Sequence, residues 1–201
     1  MRPMALSKLF DHQLLEILNS PGFSPVIDIC PIRPPTTVSP YLIILPTLKL
    51  LIKWIYSDPW PPFYDEMILM FQKEVADRII ANCNHKKYGR ISILTNTRLD
   101  VKFHFDVYKN EFDPRPKVDS SVLSFYPKQK SKFTLKDLNI LSELTKTIFN
   151  NKRKMISKVL KKNFSEKELK LINFDKIKNL RPENLDAEFY YKLLDIVKRR
   201  S

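Results

Sequence analysis

Apolar and polar positions divide this chain into stretches of different period. Leu48, Leu51, Ile52 and Ile55 recur at helical spacing before the pattern stops at Asp58-Pro59-Trp60-Pro61-Pro62. Met67 to Phe71 is a short continuous apolar run, which predicts a strand buried on both faces. Gln72 to Ala81 then predicts a helix with Val75, Ile79 and Ile80 inward, and a strand followed by a helix is the grammar of an α/β fold. Ile91 to Leu94 fits a strand or a helix equally well. Val101, Phe103, Phe105 and Val107 alternate with Lys102, His104 and Asp106, a period of two, and Ser120 to Tyr126 is rich in β-branched and aromatic residues. These two segments should pair as an antiparallel ribbon.

From Thr134 the pattern is helical to the end. Thr134 with Asp137, and Ser165 with Glu168, have the spacing of helix caps. Leu138, Leu141, Leu144 and Ile148 mark one face, and Met155, Ile156, Val159 and Leu160 continue it, which predicts one basic helix through Lys152 to Lys162. Leu185 to Val197 predicts the last helix.

Residues 1 to 47 differ in kind. Leu6, Leu9, Phe10, Leu14, Ile17 and Leu18 could form one short amphipathic helix, but Pro31, Pro34, Pro35 and Pro40 follow at a density that no interior strand or helix accepts. This segment is read as atypical and proline-rich, either disordered or translated out of frame. Residues 48–130 are read as the later part of an α/β domain and residues 131–201 as a small all-α domain.

With 43% hydrophobic residues, the 201-residue chain has material for a real core. Its formal charge of +13 favours a polyanionic partner. A membrane span is not expected, because the longest apolar run, Leu42 to Ile52, is interrupted by Pro46, Thr47 and Lys49. Cys30 and Cys83 show no pairing pattern, which suits a reducing, cytoplasmic setting. His12, His85 and His104 have no spacing that assembles a metal site with them. The sequence holds two glycines, Gly22 and Gly89, so it lacks the glycine-rich strand-to-helix turn that lets a backbone approach a nucleotide-like cofactor.

Three segments in order carry a resemblance. Met70-Phe-Gln-Lys-Glu-Val-Ala-Asp-Arg-Ile79, Tyr88-Gly-Arg-Ile-Ser-Ile-Leu94 and Phe112-Asp-Pro-Arg-Pro-Lys-Val-Asp-Ser120 resemble blocks of the S-adenosylmethionine-dependent enzymes that dimethylate adenines in small-subunit ribosomal RNA. Phe149-Asn-Asn-Lys-Arg-Lys-Met-Ile156 and Arg181-Pro-Glu-Asn-Leu185 add weaker support. The resemblance implies a truncated remnant of a Rossmann-like methyltransferase sheet followed by the helical domain, with small-subunit ribosomal RNA or the 30S-type subunit as partner.

It also implies a loop beside the target adenine. A flipped base needs an aromatic face and a stiff wall, for which Phe112, Pro114 and Pro116 are the candidates, with Arg115 and Lys117 toward phosphates. Phe112 reads equally as a core anchor of the ribbon. Lys152, Arg153, Lys154, Lys158, Lys161 and Lys162 are the candidate RNA contacts of the helical domain. Lys198-Arg199-Arg200, like Lys161-Lys162, reads either as RNA-facing or as ordinary solvated charge.

The pattern departs from the family upstream. Its Asn-Leu-Pro-Tyr motif, whose Asn accepts from the adenine amino group and whose Tyr stacks on the ring, should lie where this chain has Ser39 to Thr47. Back-translation of Tyr41 to Thr47 with the last base of the Pro40 codon in front, with codons chosen to fit and read one frame over, spells Leu-Pro-Tyr-Asn-Ile-Ala-Asn, the family motif without its leading Asn, which is the source of the out-of-frame reading. No catalytic residue is intact, and S-adenosylmethionine is not expected to bind this chain alone. The expectation is an inactive fragment that a separately encoded amino-terminal half could complement. The alternatives are a non-catalytic RNA-binding module and a decayed product without function.

Overall fold

The structure is a computed structural model that describes residues 47–113 and 115–200, with Thr47 described by its backbone alone. The readings made for residues 1–46 and for Pro114 fall outside the described residues. The described residues pack as two units, 47–76 with 99–130 and 77–98 with 131–200.

In the first unit, helix α1 (Thr47–Ile55) buries Leu51 and Ile55, an i and i+4 pair. Leu48 and Ile52, which the helical stripe also includes, stay exposed. Strand β1 (Met67–Gln72) buries five successive residues, as its unbroken apolar run requires. Helix α2 (Lys73–Ile80) begins at the next residue, with 73–76 in this unit and 77–80 in the second, and Ala76 and Ile79 rather than Val75 and Ile80 are its buried positions.

Strands β2 (Leu99–Val107) and β3 (Ser120–Pro127) form the expected antiparallel ribbon, and β3 also pairs antiparallel with β1, so the sheet order is β1-β3-β2. Val122, Leu123 and Phe125 of this central strand are fully buried, and Phe125 meets Phe71 edge to face at 5.8 Å. Register runs from Leu99 opposite Pro127 to Val107 opposite Ser120 and shifts between Phe103 and Phe105. His104 is the extra residue of this bulge, and its Nε2 lies 2.6 Å from Ser124 Oγ. Burial, then the Lys102 charge, hold its imidazole below the ordinary value, against a smaller opposing pull from Glu66.

In the second unit, helix α3 (Arg90–Arg98) settles the ambiguity of residues 91 to 94 as helical. Ser92, Ile93, Leu94 and Thr95 are all buried, and a helix covered on every side shows no periodicity to read. Arg98, at its end, is 2% exposed and donates to Phe133 O from Nε at 3.2 Å and from Nη2 at 2.7 Å.

Helix α4 (Leu135–Phe149) opens with the predicted capping box: Asp137 N donates to Thr134 Oγ1 at 3.2 Å and Thr134 N to Asp137 Oδ2 at 2.9 Å. Such a cap stabilises by about 1 kcal/mol. Helices α5 (Ser157–Asn163), α6 (Glu166–Leu171), α7 (Phe174–Ile177) and α8 (Ala187–Lys198) complete the unit. Ser165 N donates to Glu168 Oε2 at 2.8 Å, as the second cap predicts. The last helix starts two residues later than its apolar pattern, because Asp186 caps it by accepting from Phe189 N at 2.8 Å. Leu141, Ile148, Ile156, Leu160, Tyr190 and Leu193 lie in one core cluster of this unit.

The single basic helix predicted through Lys152 to Lys162 is not formed. Helix α4 stops at Phe149, residues 150 to 156 make a turn, and α5 begins at Ser157. Two asparagines stand at the break, where their side chains compete with helical hydrogen bonding. Ile156, fully buried, fixes the far side by donating its N–H to Leu180 O at 2.9 Å.

Candidate nucleic-acid interface

Two stretches carry the predicted RNA contacts, one in each unit. In the first, Lys109–Glu111 forms a short 3-10 turn after β2. Asp119 closes the loop from its other end: its Oδ1 accepts from Lys109 N and its O accepts from Lys73 N, both at 2.9 Å. The ring of Phe112 packs against the cluster of Ile68, Met70, Val107 and Val122 and keeps part of its surface in solvent. Both readings of Phe112 are therefore open to the one side chain, an anchor on one side and an aromatic face on the other. Pro116 is half-buried, and Arg115 and Lys117 are exposed with no carboxylate partner among the described residues.

Behind this loop, Lys73 forms an ion pair with Asp106, whose other oxygen accepts from Ser121 Oγ at 2.6 Å. Burial pushes the Asp106 carboxyl up, but the bonds from Lys73 and Ser121 outweigh it and hold the group below its usual range. Lys73 belongs to the Gln-Lys-Glu segment, which composition alone leaves as any helix start. Its partner lies 33 residues away, so no local pattern announces it.

In the second unit, the cations from Lys152 to Lys162 have different surroundings. Lys152 Nζ donates to Tyr88 O at 2.9 Å and to Lys86 O, and lies 3.3 Å from Glu183. The same place is tied by Asn84 N donating to Glu183 O at 2.8 Å and by Asn184 Nδ2 donating to Asn84 Oδ1 at 3.0 Å. Asn84 takes a left-handed φ of 69°, which asparagine tolerates. Segments around Tyr88, Lys152 and Glu183, all of which carry the family resemblance, thus meet at one ammonium. Lys161 lies 5.7 Å over the Phe174 ring. Arg153, Lys154, Lys158 and Lys162 have no carboxylate partner among the described residues, and Lys154, Lys158 and Lys162 line one cleft.

The basic run at the chain end is largely committed to the protein itself. Lys198 Nζ lies 2.8 Å from Asp137 Oδ1. Arg200 donates to Glu168 at 2.7 Å and stacks 4.8 Å over the Phe164 ring. The Arg200 guanidinium, followed by the Ser165 N–H, brings the Glu168 carboxyl down to about 2.

A cofactor cradle is not found among the described residues. The one described passage from strand directly into helix, Gln72 to Lys73, has no glycine, and its Lys73 N–H is bonded to Asp119 O. The described residues therefore do not fit S-adenosylmethionine. They also contain no group of three or more His, Cys, Asp or Glu arranged to hold a metal ion, and no helix long and apolar enough to cross a membrane.

The family profile described as Ribosomal RNA adenine dimethylase matches residues 46–199, more than half of the chain. The chain belongs to this family. A ribosomal RNA small subunit methyltransferase A of Pelagibacter ubique is 42% identical over 146 residues, covering 73% of this chain and 55% of that protein. The namesake from Bartonella henselae is 38% identical over 198 residues, covering 96% of this chain and 69% of that protein, so its alignment takes in residues upstream of 46. Among solved structures, a dimethyladenosine transferase from Plasmodium falciparum superposes with a TM-score of 0.67 at 25% identity, covering 82% of this chain and 70% of that one. The 23S rRNA methyltransferase ErmE, 15% identical with a TM-score of 0.54, shares the fold. The fold is α/β of the methyltransferase type, as the sequence implied. The chain thus spans 55% and 69% of the length of these two curated relatives.

Proposed function

We propose that this chain docks on small-subunit ribosomal RNA through the 112–117 loop and the basic stretch from Arg153 to Lys162, within the ribosomal RNA adenine dimethylation that its family name denotes and that the sequence resemblance implies to be S-adenosylmethionine-dependent. The observation that carries the reading is the set of four cations, Arg153, Lys154, Lys158 and Lys162, with no acidic residue anywhere from Lys152 to Asn163. Exposed cations without internal partners are the groups that neutralise phosphates and release counterions.

On this reading the chain supplies RNA docking and not the methyl donor site. The expected outcome of titrating S-adenosylmethionine into it is no saturable heat, and a saturable binding isotherm would overturn this part of the reading. A non-catalytic RNA-binding module is the alternative that the same surface supports.

The test is binding to a small-subunit ribosomal RNA hairpin across a salt series. Each phosphate contacted contributes about 0.7 to 0.9 to the slope of log affinity against log salt. Four contacts give a slope of about 3 in magnitude. Affinity that does not change with salt overturns the proposal.

A further inference from the structure

The turn after α4 and the exposed face of α5 enclose a cleft of about 380 Å³, within the roughly 300 to 1,000 Å³ range of small-ligand sites. Its chemistry is divided. Lys154, Lys158 and Lys162 line it, and Asn150 and Asn151 present exposed side-chain amides with no hydrogen-bond partner among the described residues. Met155, 55% exposed, and the half-buried Val159 give the cleft an apolar wall.

Lys158 and Lys162 are four apart on a helix of seven residues that contains no acidic group. Like charges at that spacing repel, and among the described residues no carboxylate pairs with either of them. A purely apolar partner would leave the lysines and amides unpaired, while a bare phosphate could take the lysines and the amide N–H donors but would leave the amide oxygens and the apolar wall unused. An unstacked nucleotide uses all three: its phosphates meet the lysines, its base edge meets paired amide donors and acceptors, and its ring lies on apolar surface.

We propose that this cleft receives one extruded nucleotide of an RNA strand, with Asn150 and Asn151 on the base edge, Met155 against the ring, and Lys158 and Lys162 on the flanking phosphates. The assignment rests on the RNA-docking reading above and adds to it a site that distinguishes a bulged base from paired RNA.

The experiment compares the full chain on two short RNA hairpins with equal numbers of phosphates, one fully paired and one carrying a bulged adenosine. The bulged hairpin should bind about tenfold more tightly. Asn150→Ala with Asn151→Ala should remove that preference and leave the salt slope unchanged. Met155→Ala, at an exposed position where folding is not at stake, should also reduce the preference. Lys158→Gln with Lys162→Gln should weaken both hairpins and lower the slope by about 1.4 to 1.8. Equal binding of both hairpins by the unaltered chain, or a preference that survives in the asparagine and methionine variants, overturns the nucleotide site while salt-dependent RNA docking stands. A lysine variant with an unaltered slope also overturns it. Salt-independent binding, or none, to either hairpin removes both readings.

Discussion

The loop from Lys109 to Asp119 and the turn from Asn150 to Ile156 are both short connections that display cations, and they are anchored by opposite means. The loop is held by an apolar ring and an acceptor: Phe112 packs on the sheet cluster and Asp119 takes the N–H of Lys109. Arg115 and Lys117 are left outside that scaffold. The turn is held by one of its own cations, since Lys152 bonds Tyr88 O and Lys86 O and faces Glu183. Three consecutive basic residues in a sequence are therefore not three equivalent phosphate contacts. The first is tied to the fold, and the second and third are exposed with no carboxylate partner among the described residues.

That contrast is open to measurement, beginning with its largest expected effect. Lys152→Ala should lower the stability of the chain by about 2 kcal/mol, because a charged group hydrogen-bonded to two carbonyls is lost. Urea unfolding should show a lower midpoint at the same m-value, and the salt slope of RNA binding should not change. If stability is unaffected and the slope falls by nearly one, Lys152 belongs with its neighbours.

Phe112→Ala tests the other anchor. Loss of a stacking face should weaken RNA binding by about 1 to 3 kcal/mol with the slope unchanged. Some stability should also be lost, because the ring is packed on Ile68 and Val122. A variant that loses stability and binds RNA normally would make Phe112 an anchor alone.

Arg153→Ala with Lys154→Ala should leave the urea midpoint in place and reduce the salt slope by about 1.4 to 1.8, measured by the same RNA titration. An unaltered slope would make these cations an ordinary solvated surface.

The smallest effect concerns acid. Burial pushes the Asp137 carboxyl up, but the bonds from Lys198 and Thr134 outweigh it, so it titrates below the ordinary value of 3.8. A depressed carboxylate contributes stability that is complete above its unfolded pKa and is lost as pH falls through the folded one. Stability should therefore decline below pH 3.8, and Asp137→Asn should flatten that part of the profile while costing about 1 kcal/mol at neutral pH. An unchanged acid profile would exclude Asp137 as its source.

Features that depend on near neighbours could be read from the residues alone. The unbroken run Met67 to Phe71 reads as a covered strand, Val101 to Val107 as a strand, although the bulge at His104 interrupts its alternation and leaves Phe103 exposed, and Thr134 with Asp137 as a helix start, because each is decided within a few residues. The family was legible for the same reason, through short blocks in order. The fate of the cations, and of the segments buried on all sides, was settled by the folded chain. Helix α3 hides its period because its neighbours cover it all round, and the turn that replaces the basic helix expected through Lys152 is fixed on its far side by Ile156 bonding Leu180. Lys152 lies 64 residues from Tyr88, and Arg200 lies 32 from Glu168. An ammonium or guanidinium takes its role from whichever acceptor the folded chain brings to it, and the free energy of that contact is not encoded in the residues beside it.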